Sequence, residues 1–207
     1  PWRPQPGSRR RQARRFASAE HILFAVSLLT IAQWVGELPS SIALRESLFM
    51  WPLLESAHVL TLMLFAGTAT MLDLRLLGVS FTAVPAREFT GRLLPWTRAA
   101  FALMTITGVL LLYANPVRYY FNLFFRLKLI LLVFAGLNIW WFHGRTERSL
   151  AAWNTAARPP RAARMAAIVS LAAWTGVIVT GRMVAYNWFD CDLQPQSSFV
   201  NWAAGCI

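Results

Sequence analysis

The chain has 207 residues, of which 57% are hydrophobic, with a mean hydropathy of +0.45 and a formal net charge of +11. Soluble domains are about 45–50% apolar, so this composition excludes an ordinary soluble fold. The apolar residues fall in five long runs rather than in the short alternating strands of a membrane barrel. The sequence therefore predicts an all-α, polytopic membrane protein built as a bundle of five transmembrane helices.

The positive charge is concentrated on one predicted side of the membrane. Fifteen of the 20 Lys and Arg residues lie in residues 1–20, 73–98 and 143–164, and a single topology places all three segments in the cytoplasm. Attraction to anionic lipid headgroups explains such segments, so the expected partner is the lipid bilayer and not nucleic acid. This topology puts the N-terminus in the cytoplasm and the C-terminus outside it.

The chain divides into three predicted parts. Residues 1–17 are rich in Pro and Arg and are expected to be a disordered cytoplasmic segment. Residues 18–188 hold the five apolar runs, each near the ~20 residues that a bilayer requires; the first is interpreted as a retained helix rather than a cleaved signal peptide. Residues 189–207 form an external tail, where Cys191 and Cys206 predict a disulfide in an oxidising compartment.

The predicted helices run from about Ser18 to Gly36, Pro52 to Leu72, Pro95 to Ala114, Tyr120 to Phe142 and Arg164 to Trp188. Pro39 is expected to prevent the first helix from continuing into the next segment. Asp73 and Arg75 follow the second helix and are interpreted as a paired structural anchor at the interface. Three residues of the third helix predict close helix packing rather than chemistry: Thr105, Thr107 and Gly108.

Glu55 and His58 are three residues apart, which places them on one face of the second helix. Ionisable residues inside a spanning helix indicate a functional site by default. The topology brings Lys128 and Arg182 to the same depth, in the outer third of the membrane, and predicts that Glu55 pairs with one of them. Further members of this polar layer are Asn122, Arg126 and Tyr186.

Two interpretations of the layer remain open. The first is a structural ion-pair layer, in which Arg126 and Lys128 extend to the lipid headgroups. The second is a polar pocket open to the external side, which His58 favours because a static ion pair does not need an imidazole. The pocket residues would be Glu55, His58, Lys128, Arg182 and Tyr186.

The cofactor is left unknown among three candidates, which are haem b, copper and a quinone. His58 is the predicted metal ligand, with Met183 and also Met50 as sources of soft sulfur. Lys128 and Arg182 would instead neutralise haem propionates or hold a quinone headgroup. A two-haem cytochrome is strongly disfavoured, because it usually needs four axial histidines and His58 is the only histidine predicted inside a helix. His21 and His143 fall at cytoplasmic helix ends.

Four sequence motifs carry a resemblance to known families: Glu55-Ser-Ala-His58, Asp73-Leu-Arg-Leu-Leu-Gly78, Phe125-Arg-Leu-Lys128 followed by Asn138, and Gly181-Arg182 with Tyr186. Together they resemble an uncharacterised family of small bacterial five-helix inner-membrane proteins. The Lys ten residues before an Asn is similar to the copper-resistance D membrane proteins, which are associated with copper uptake but have more helices and more Met and His. The resemblance implies that Glu55, His58, Lys128 and Arg182 form the site.

The sequence therefore predicts a component of a redox or copper-handling system in the bacterial inner membrane, with a polar cofactor or metal pocket in the periplasmic leaflet. Its expected partners are other membrane or periplasmic subunits. The alternatives are a cofactor-free membrane anchor or scaffold subunit, and a small-solute or ion transporter with Glu55 and His58 as a proton relay. No catalytic residue is predicted, and whether the protein is an enzyme is left open.

Overall fold

The computed structural model describes residues 28–145, 153–155, 158–186, 188–189 and 195–204, and the regular secondary structure of these residues is entirely helical. The predicted all-α class is thereby confirmed. The helices are α1 (28–36), α2 (Pro39–Glu46), α3 (Met50–Leu77), α4 (Ala86–Ala114), α5 (Pro116–Phe121), α6 (Leu123–Arg145), α7 (Arg161–Met183) and α8 (Ser198–Ala204).

Four of these helices are long and apolar enough to cross a membrane, namely α3, α4, residues 123–142 of α6, and α7. Most of their side chains are exposed in the isolated chain, as expected for surfaces that lipid tails solvate. These features define a multi-pass membrane protein. The predicted first span, Ser18–Gly36, lies largely outside the described residues, so the fifth span stays a prediction.

The boundaries of α3 and α4 lie beyond the predicted ones. α4 begins at Ala86 and continues through Pro95, which was predicted to start it; spanning helices tolerate such a proline because local adjustments satisfy the freed backbone groups. α3 runs to Leu77 and ends at Gly78, whose φ of 74° lies in the left-handed region that glycine adopts without strain. The Gly78 N–H bonds back to the last turn of the helix.

The predicted fourth helix is interrupted at Asn122, between α5 and α6. The Oδ1 of Asn122 accepts a hydrogen bond from the Phe125 N–H at 3.0 Å, which satisfies a free donor at the start of α6. Its Nδ2 donates to the Val184 carbonyl at 3.3 Å. Asn122 is buried, and it thereby ties the start of α6 to the end of α7.

The centre of the bundle is an apolar core. α3 packs against α4 and α7, and α6 packs against α7. The rings of Phe65 and Trp174 meet edge to face with centroids 4.5 Å apart, and the buried alanines Ala100, Ala135 and Ala173 allow the helix backbones to approach closely. This core separates a polar region near α5 from a second one near the loop 78–85.

The predicted pairing of Asp73 with Arg75 is wrong. Arg75 is buried and donates through both Nε and Nη2 to the Val84 carbonyl, at 3.1 and 3.0 Å, which closes the loop 78–85. Asp73 is hydrogen-bonded to the side chain of Ser170 on α7. Residues two apart on a helix point to different faces, which is why these neighbours serve different contacts.

Candidate functional site

His58 lies at the contact between α3 and α4. Its Nδ1 is 2.9 Å from the Oγ1 of Thr107. The Thr107 hydroxyl lies 2.9 Å from the Leu103 carbonyl and 3.0 Å from that of Met104, so its single hydrogen is donated within α4. The hydroxyl oxygen therefore accepts from the Nδ1–H of His58, and the neutral ring keeps a lone pair on Nε2.

Gly108 gives the imidazole its space. A Cβ at this position would lie 3.2 Å from the Cε1 of His58 and 3.7 Å from its Nδ1. These contacts are tight, so any side chain larger than hydrogen would displace the ring. The interpretation of Thr107 and Gly108 as packing residues was therefore incomplete, because the group they pack against is the candidate functional histidine.

Lys128, the only lysine of the sequence, extends from α6 towards α7. A Cβ on Gly181 would lie 3.4 Å from its Nζ, so the ammonium runs along the α7 backbone where a side chain is missing. The half-buried imidazole of His58 is within range of a direct electrostatic interaction with this ammonium. The structure thus brings α3, α6 and α7 together at one level through His58, Lys128 and Gly181.

The predicted ion pair of Glu55 with Lys128 or Arg182 is wrong for the described residues, whose ion pairs are Arg45 with Glu46 and Arg92 with Glu88. Glu55 is exposed, one turn before His58. Its carboxylate lies close enough to Tyr119 on α5 to interact electrostatically with the phenol. Burial raises the pKa of Tyr119, the Arg118 charge lowers it, and the negative charge of Glu55 raises it further.

Arg182 and Met183 are the last two residues of α7, and Tyr186 follows three residues later. The Arg182 guanidinium sits over the ring of Tyr186, 5.9 Å from its centroid, and both side chains are exposed. Tyr186 also stacks on Trp188. Met183 is half-buried at the last position of the helix. These residues form a cationic and aromatic rim near the site.

Arg126 has a structural contact that the sequence did not suggest. Its Nε and Nη2 donate to the Tyr120 carbonyl, both at 3.1 Å, and its Nη1 donates to the Ala203 carbonyl of α8 at 2.9 Å. The guanidinium therefore holds the C-terminal helix against the start of α6. Snorkelling to the lipid headgroups, which was one of the two predicted roles, does not describe this contact.

The donor groups of the described residues do not by themselves form a metal site. Within the described ranges, no group of three or more His, Cys, Asp or Glu residues is arranged to bind a metal ion. Cys191, Cys206 and His21 lie outside the described residues, and so does the side chain of His143. The predicted disulfide and the interfacial histidines therefore stay predictions.

The fold and this site define a class: a multi-pass helical membrane protein whose bundle holds an imidazole and an ammonium that has no carboxylate partner among the described residues. Residues 50–187 match the model of DUF6644, a family of unknown function, and the chain belongs to this family. The match covers α3 to α7 and all the described site residues. No curated protein and no solved structure gives a significant match. The resemblance to an uncharacterised family fits this result, whereas the similarity to the copper-resistance D proteins stays a prediction.

Proposed function

We propose that the protein is a membrane component of an electron-transfer system and that the His58–Lys128 site binds the headgroup of a quinone. The observation that carries this proposal is the ammonium of Lys128, which is half-buried between helices and has no carboxylate partner in the described part of the chain. Charges inside a membrane are normally paired or functional, so a ligand is expected to supply the missing acceptor.

The two side chains suit both redox forms of a quinone. The Lys128 ammonium offers N–H donors to a carbonyl oxygen of the oxidised ring. The Nε2 lone pair of His58 accepts a hydrogen bond from an O–H of the reduced ring, because Nδ1–H is already bonded to Thr107. Reduction of the ring takes two electrons and two protons, and the electrons would come from a redox centre on a partner subunit of the membrane or periplasm.

A copper or haem site at His58 is the second candidate. Its support is the Nδ1 hydrogen bond, since metal-binding histidines usually donate through one ring nitrogen and bind through the other. The described residues offer no set of three ligands around it, so a metal would need further donors from Met183, the tail or a partner. For this reason the quinone is preferred.

The proposed location is the bacterial inner membrane, with the N-terminus in the cytoplasm, the C-terminus in the periplasm and the site in the periplasmic leaflet. The support is the charge bias of the sequence, whose basic loops follow α3 and α6. Labelling of single cysteines introduced in residues 145–164 tests this membrane topology. We expect these cysteines to be labelled from the cytoplasm alone. Labelling from the periplasm would reverse the proposed topology.

The decisive experiment is binding of a short-chain ubiquinone analogue to the full chain in nanodiscs. Losing a hydrogen bond to a charged group costs about 1.5–3 kcal/mol, so Lys128→Met should weaken binding about 10-fold to 100-fold. His58→Ala should also weaken it, whereas Arg98→Met, which removes an exposed charge from α4, should not. Unchanged affinity in Lys128→Met would overturn the proposal.

Absorption spectra and metal analysis of the same preparation distinguish the other functions. A Soret band that is lost in His58→Ala would indicate haem, and stoichiometric copper lost in that variant would indicate copper handling. A chain that binds neither a quinone nor a metal would be assigned to the anchor or transporter class.

A further inference from the structure

A second cavity lies at the other end of the bundle, between α3, α4, α6 and α7. Its volume is about 160 Å3 and its walls are mainly apolar, with Phe65 and Trp174 among them. Asp73, Asn138 and Ser170 are polar groups of its lining. Asp73 follows His58 by fifteen residues on α3, which is ~22 Å along a helix, so this cavity is separate from the His58–Lys128 site.

The carboxyl group of Asp73 is the chemical feature of this cavity. Asp73 is only 7% exposed, and its hydrogen-bond partner is the side chain of Ser170. Among the described residues, no Lys, Arg or His lies within ion-pair distance of it. Arg75 is two residues away but directs its guanidinium to the Val84 carbonyl. Buried charges in proteins are normally paired, and the described residues supply no cation there.

The volume and the lining of the cavity limit which cation it can bind. A protein cavity of ~150 Å3 admits benzene, so this one accepts a six-membered ring. Asn138 donates from Nδ2 to the Ala166 carbonyl at 2.9 Å, which fixes the orientation of its amide. Its Oδ1 has no partner among the described residues and is a further acceptor for an N–H donor. The cavity therefore combines an apolar ring site with hydrogen-bond acceptors at one side.

We propose that this cavity binds a small protonated amine with a ring-sized apolar body, with its ammonium on Asp73 and its ring against Phe65 and Trp174. Ser170 is a positioning residue that orients the carboxylate. Asn138 accepts a second N–H bond from the ligand. This site is independent of the quinone proposed at His58 and Lys128.

Radiolabelled benzylamine, bound to the full chain in nanodiscs, tests the proposal against empty nanodiscs as the blank. Benzyl alcohol has the same shape and no charge, so it should compete at least about 10-fold less well. Asp73→Asn keeps the size of the side chain and should weaken benzylamine binding at least about 10-fold. The control Glu88→Gln removes an exposed carboxylate at the start of α4 and should leave binding unchanged.

Equal competition by benzyl alcohol, or equal affinity in Asp73→Asn, would overturn the proposal. The comparison of amine with alcohol uses the unmodified chain. It therefore tests whether the cavity prefers a charged ligand even if Asp73→Asn does not fold. Lys128→Met should leave benzylamine binding unchanged while it weakens quinone binding. Failure of one site is thereby distinguished from failure of the other.

Discussion

The Nδ1 of His58 lies 2.9 Å from the Oγ1 of Thr107, and this contact joins α3 to α4 within their membrane-spanning parts. Because the threonine hydroxyl donates to carbonyls of its own helix, it acts as the acceptor for the imidazole. The contact therefore does two things: it links two helices and it fixes which ring nitrogen is free. Hydrogen bonds between spanning helices contribute ~0.6 kcal/mol on average and up to ~1.7 kcal/mol.

Thr107→Val removes this acceptor and keeps the shape of the side chain. We expect the free energy of unfolding to fall by about 1 kcal/mol and the affinity for the quinone analogue to fall with it, because the ring is no longer held in one orientation. Thermal unfolding in detergent and the binding assay measure the two effects. Thr105→Val is the matched control, since Thr105 is exposed and donates to the Phe101 carbonyl of its own helix. Equal effects of both variants would show that the His58 contact is unimportant.

Gly108→Ala tests the space around the imidazole. The new methyl group would lie 3.2 Å from the Cε1 of His58, so the ring must move by a few tenths of an ångström. We expect weaker binding of the quinone analogue, measured on the same nanodisc preparation. Gly91→Ala on the same helix meets no atom within 4 Å and should gain up to ~1 kcal/mol of helix stability. Wild-type affinity in Gly108→Ala would mean that the ring position does not matter for binding.

Gly176→Ala tests the close approach of α6 and α7. A Cβ there would lie 2.9 Å from the Cδ1 of Leu131, which packs against the buried core. Overpacking costs up to about 1–3 kcal/mol, and alanine in a helix returns up to ~1 kcal/mol, so the unfolding temperature should fall relative to that of Gly136→Ala. Gly136→Ala on α6 meets no atom within 4 Å and is the control. Adding Leu131→Val should recover part of the loss, and simple additivity in the double variant would contradict the contact.

The four described spans and the nearness of His58 to Lys128 were predictable because each depends on a strong local signal. Apolar length and charge bias locate the spans, and rise per residue brings His58 and Lys128 to one depth. The partners across helices were not predictable. The rotation of each helix about its own axis decides which residues face the site, here Thr107, Gly108 and Gly181. Because α3, α4, α6 and α7 are apolar on several faces, the sequence does not reveal that rotation.

The surroundings of Asp73 were not predictable for the same reason. Its neighbour Arg75 suggested an ion pair, and nothing in the local sequence indicated a cavity formed with Asn138 and Ser170 from two other helices. The pairing expected for Glu55 failed for a related reason. Equal depth in the membrane was predicted, but depth does not decide which direction a side chain takes around its helix.

Arg126→Lys tests how the C-terminal helix is held near the site. Arginine reaches two carbonyls at once, that of Tyr120 through two nitrogens and that of Ala203 through the third, and a lysine cannot reproduce this fork. We expect α8 to detach more often, so limited proteolysis within residues 195–204 should be several-fold faster while the spans stay intact. Arg182→Lys is the control, because Arg182 contacts the Tyr186 ring and no residue of α8 is among its described contacts. Equal protection of α8 in both variants would show that its packing against α6, rather than the guanidinium, holds the tail in place.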